Sequence, residues 1–90
     1  MAEIERFSGM IISMYCEVGG KHHYPHIHVR SGDGNAVYRL NGELIEGELP
    51  SSKDEAIREW IAVHKKALRK IYQLARAGKR IPKVKEVEGK

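Results

Sequence analysis

One stripe of apolar side chains does most to limit how this chain folds. Ile57, Trp60, Ile61, His64, Ala67, Leu68, Ile71, Leu74 and Ala75 recur at three- and four-residue intervals. That spacing lines up side chains on one face of an α-helix. Both ends of the stripe carry helix-end chemistry. Ser52 with Glu55 three residues on is a capping-box pattern. Asp54 and Glu55 sit in the first turn, where the helix dipole favours anions, and basic residues crowd the last turns. Gly78 falls where a C′ glycine belongs. The pattern predicts one long helix over 52–77, roughly 37 Å at 1.5 Å per residue. A small sheet needs less, so part of the helix is expected to project or to pack on another protomer.

The residues before it read as a sheet over 4–49. Residues 7–16 are apolar on both alternating sets, as in a strand covered on both faces. Residues 26–31 alternate, with Ile27 and Val29 facing one way and His26, His28 and Arg30 the other. Gly32-Asp33-Gly34-Asn35 is a turn signal. Ala36 to Leu40 makes a third strand. Asn41-Gly42 tolerates the positive φ of a tight hairpin, and Glu43 to Leu49 returns as a fourth. Ile81 to Glu88 reads as an edge strand or an ordered extension. The fold class is therefore α+β: a small antiparallel sheet of three to four strands, joined by hairpins, packed on one long C-terminal helix. It forms a single domain over 1–90, with a basic extension over 78–90.

Ninety residues bury only a modest core, so metals, disulfides or self-association often assist chains of this size. Cys16 is the only cysteine, so a disulfide within the chain is excluded, and a reducing compartment is expected. No segment is apolar long enough to span a membrane. The start of the chain, Met1 to Arg6, lacks an apolar signal core, so the cytoplasm is the expected location.

The net charge is +4, and its distribution says more than its size. From Lys65 to Lys85 there are nine basic residues and no acidic one. Lys65, Lys66, Arg69, Lys70, Arg76, Lys79 and Arg80 form the candidate surface for a polyanion: RNA, DNA or an acidic protein. A basic helix face is often simply solvated, but like charges at helical spacing repel each other. An unrelieved run of this kind points to a partner.

His22, His23, His26 and His28 lie within seven residues. Imidazole titrates near neutrality and moves protons there. His23, His26 and His28, with Arg30 as a phosphate clamp and Tyr15 or Tyr24 close by, are the kit of a small ribonuclease. His26 and His28 also have the spacing for two ligands of one divalent metal, with a third from His22 or His23. No carboxylate close in sequence completes such a set. A structural role, fixing the loop around Pro25, accounts for the same residues, so whether the chain is an enzyme stays open.

Phe7-Ser8-Gly9-Met10-Ile11-Ile12-Ser13-Met14-Tyr15, followed by His23-Tyr24-Pro25-His26-Ile27-His28-Val29, resembles the signature of a small bacterial family, domain of unknown function 4160. The likeness continues through Asn41-Gly42-Glu43, Glu46-Gly47-Glu48-Leu49-Pro50, Glu59-Trp60-Ile61 and Leu74-Ala75-Arg76-Ala77-Gly78-Lys79. Tyr24 stands just before Pro25, where the family usually has a second proline one position on, and His22 stands where an acidic residue often precedes the motif histidine. No chemistry is established for the family, so the resemblance implies none. Its members often sit beside a second small protein of another family of unknown function, numbered 2442, an arrangement like that of a toxin and its antitoxin. The resemblance thus implies a binding module that holds this second protein, RNA or DNA. A histidine-dependent endoribonuclease toxin or a metal-binding protein is the alternative. No membrane partner is expected, and a homo-oligomer is compatible with open sheet edges.

Overall fold

The computed structural model describes residues 2–14 and 24–89. Five strands, β1 (Ala2–Phe7), β2 (Met10–Met14), β3 (His26–Ser31), β4 (Gly34–Arg39) and β5 (Leu44–Gly47), precede helices α1 (Ser51–Val63), α2 (Lys65–Arg76) and α3 (Val84–Glu88). The strands form one antiparallel sheet in the order β1-β2-β3-β4-β5. The α+β class and the hairpin connections agree with the sequence.

The sheet has five strands rather than three to four. The apolar run over 7–16 is not one strand, because Ser8 and Gly9 take φ of 50° and 75° and Phe7 pairs with Met10. Two positive-φ residues between paired strands make the hairpin turn that matches strand twist. Apolar residues on both sides of the turn hide it from a hydropathy reading. The turns at Gly32-Asp33 and Asn41-Gly42 stand where expected. In the second, Arg39 N–H donates to the Glu43 carbonyl at 2.8 Å and Gly42 N–H to the Arg39 carbonyl at 2.9 Å.

The single long helix over 52–77 is also corrected. His64, at φ −107° and ψ 19°, ends α1 and precedes α2. The apolar stripe continues across the break, and Ile57, Trp60, Ile61, Ala67, Leu68, Ile71 and Ala75 are all buried. Periodicity records which side chains face the core and is blind to one altered backbone angle. The capping box at Ser52 and Glu55 does not form. Helix α1 starts one residue earlier, after Pro50, without a side-chain cap, and the Pro50 carbonyl accepts from Lys53 and Asp54 N–H. Gly78 does end α2. Gly78 N–H donates to the Ala75 carbonyl and Lys79 N–H to the Leu74 carbonyl, the paired bonds of a Schellman motif. The tail does not form an edge strand. It folds into α3, whose Val84 is buried and whose Glu88 Oε2 lies 2.5 Å from His64 Nδ1.

One core joins sheet and helices. Ile4, Ile12, Met14, Ile27, Val29 and Tyr38 pack with Ile57, Ile61, Leu68, Ile71 and Val84, and Phe7 stacks on Trp60 at 5.9 Å. Polar ties fix α1 on the sheet. Tyr38 donates from its hydroxyl to Asp54, and Arg58 donates to Asp54 and to the Gly42 carbonyl, each at 2.9 Å or less. Lys53 Nζ donates to Ser31 Oγ at 2.7 Å and pairs with Asp33 at 2.9 Å.

Candidate nucleic-acid interface

Residues directly opposite on paired strands share a face, so the register sorts the polar side chains. Ile12, Val29 and Ala36 stand in one row and Ile27 and Tyr38 in another, on the helix-covered face. Glu3, Ser13, His28, Val37 and Glu46 form a row on the second face. His26 pairs with Arg39, and Arg30 with Ile11 and Asn35, on that same side. Glu3 is held below the usual carboxylate range, chiefly by the hydrogen bond from Arg6 and also by the charges of Arg6, Lys83 and Arg30.

The structure brings His26 and His28 together, with ring centroids 5.1 Å apart. His26 is 4% exposed, and its Nδ1 lies 2.7 Å from the Tyr24 carbonyl. A carbonyl only accepts, so Nδ1 is the protonated nitrogen. That bond fixes the ring against the chain entering β3. His28 is half-buried and Arg30 exposed. His22, His23, Tyr15 and Cys16 lie outside the described residues. Among the described residues, no group of three or more His, Cys, Asp or Glu side chains is placed to hold a metal ion.

The histidine strand and the basic helix meet at Arg39. Its guanidinium lies 4.7 Å over the Tyr24 ring, which stands edge-on to His26 at 6.5 Å. Such an aromatic face favours a cation and restrains it. Arg39 also lines a cleft of about 190 Å³ with Pro25, Leu40, Asn41, Lys65 and Arg69. Lys65 and Arg69 come from the first turns of α2, one turn apart on one side, and both are exposed. Glu43 pairs with Arg39 at 3.3 Å.

Lys66, Lys70 and Arg76 are exposed on α2, and Lys79 and Arg80 follow it. Arg80 is engaged by Glu86 at 3.1 Å. The ion pairs among the described residues draw on Arg6, Arg39, Lys53, Arg58, His64 and Arg80. None draws on the cations of α2. Arg39 and Asn41 were not visible as site residues in the sequence. One stands inside a strand and the other in a hairpin turn, and neither position signals proximity to α2.

A five-stranded meander sheet carrying a histidine strand beside a cationic helix defines a small α+β domain. The chain belongs to the family described as Domain of unknown function (DUF4160), whose sequence profile matches residues 9–73. No curated protein and no solved structure matches the chain. No helix of the described residues is long and apolar enough to cross a membrane.

Proposed function

We infer that this chain is a nucleic-acid-binding module. The observation that carries the reading is the run of exposed cations on α2, Lys65, Lys66, Arg69, Lys70 and Arg76. They remain outside the ion pairs of the described residues, and two of them, Lys65 and Arg69, line one cleft with Arg39. Twelve residues span about 18 Å, so the helix presents its charges to several successive phosphates of a strand. Neutralising phosphates releases condensed counterions, which drives binding and makes it salt-dependent. A toxin–antitoxin-like setting, with a second small protein as a further partner, belongs to this proposal through the family resemblance.

The test is titration of twelve-nucleotide RNA and DNA strands with wild type and with a Lys66→Ala/Lys70→Ala double variant. Affinity is expected to fall with salt. If both side chains contact phosphates, the double variant should reduce the slope of log affinity against log salt by about 1.4 for a single strand. Salt-independent binding, or equal affinity in both proteins, would refute the reading.

The endoribonuclease alternative draws support from the 5.1 Å approach of the His26 and His28 rings. The burial of His26 and its tie to the Tyr24 carbonyl support a scaffold role instead. RNA cleaved by wild type and left intact by His28→Ala would decide for the enzyme.

A further inference from the structure

We propose that the cleft between the β4–β5 turn and the start of α2 seats a terminal phosphate monoester of the bound strand. The proposal rests on the nucleic-acid-binding reading and names the group that the cleft takes. Its motivation is charge and shape. Arg39, Lys65 and Arg69 reach the cleft from two elements that are distant in sequence. Glu43 is the one carboxylate paired there among the described residues, which leaves two positive charges. A terminal phosphate monoester carries about −1.5 to −2 at neutral pH, because its second pKa is near 6. An internal phosphodiester carries a single charge, so the cleft matches the terminal group better.

Hydrogen-bonding chemistry agrees with the charge. A guanidinium offers a planar fork of donors suited to two phosphate oxygens. Arg39 is restrained for that role by the Tyr24 ring beneath it. Lysine acts as a mobile point charge, and Asn41 adds a neutral polar side chain at the rim. The first turn of α2 contains no acidic residue to offset these cations. Pro25 and Leu40 add apolar surface. At about 190 Å³, the cleft suits the end of one strand and is too small for a duplex to enter.

The experiment compares ten-nucleotide RNA and DNA strands bearing a 5′-phosphate, a 3′-phosphate or hydroxyls at both ends. The proteins are wild type, Arg39→Gln, Lys65→Gln and Lys66→Ala/Lys70→Ala. Lys65→Gln changes an exposed helix position, so it guards against a folding defect at Arg39. Wild type is expected to bind one phosphorylated end about tenfold more tightly than the hydroxyl-ended strand, the effect of one strong charge-assisted contact. Arg39→Gln and Lys65→Gln should each erase most of that preference. The Lys66→Ala/Lys70→Ala variant should weaken every strand and keep the preference. Equal binding of all three ends by wild type overturns the phosphate seat and leaves the binding module standing. Failure of every strand to bind overturns both.

Discussion

Tyr38 and Asp54 join the sheet to the first helix through a 2.5 Å hydrogen bond from phenol to carboxylate. Tyr38 is fully buried on β4, and its pKa is pushed well above the usual tyrosine range by burial and then by the Asp54 carboxylate. Asp54 moves the opposite way, lowered by the hydrogen bonds from Tyr38 and Arg58. The tyrosine therefore contributes stability that is full below its unfolded pKa of about 10 and is lost as pH rises beyond it. The aspartate contributes stability that is present above about pH 4 and is lost as pH falls through its lower folded value. Tyr38→Phe is expected to lower stability by about 1–2 kcal/mol at pH 7 and to flatten the loss above pH 10. Denaturant titrations of both proteins at pH 7 and 10.5 measure this. A variant with unchanged alkaline behaviour would refute it.

Gly47 ends β5 against the backbone of β4. At φ +81°, a Cβ there would stand 2.2 Å from the Asn35 carbonyl oxygen. Both the dihedral and the contact oppose a side chain. Gly47→Ala is expected to lower stability by about 2 kcal/mol or more. Gly32→Ala, where a Cβ meets nothing within 4 Å, should change it by less than about 0.5 kcal/mol. Urea midpoints of the two variants compare them directly, and similar midpoints would contradict the clash.

The 2.7 Å bond from His26 Nδ1 to the Tyr24 carbonyl gives that histidine a structural task. His26→Ala is expected to lower stability by about 1–3 kcal/mol through the cavity and the lost hydrogen bond. An unchanged thermal transition in this variant would remove the scaffold role.

Two of the contacts that hold α3 are ranked by their burial. Val84 is 1% exposed, whereas Glu88, paired with His64, has a side chain 39% exposed. Val84→Ala should lower stability by about 1–3 kcal/mol, and Glu88→Gln by less than about 1 kcal/mol. The reverse order in calorimetric melts would show that the ion pair, and not burial, anchors the tail.

Much of this fold is legible in the sequence. The core stripe from Ile57 to Ala75, the turns at Gly32-Asp33 and Asn41-Gly42, and the end of α2 at Gly78 all follow from residue-by-residue steric and hydrogen-bonding preferences. Those preferences act over a few neighbours, so they are written locally. The turn at Ser8-Gly9 was hidden because the residues on either side of it are apolar alike. The break at His64 was hidden because burial spacing continues through it. The site divides in the same way. Exposed cations on one helix, and His26 with His28 on one strand face, are consequences of period. The meeting of Arg39 with Lys65 and Arg69 depends on how the sheet docks on α1 and α2. Long-range packing of Tyr38, Ile57, Leu68 and their neighbours sets that docking, and no local pattern encodes it.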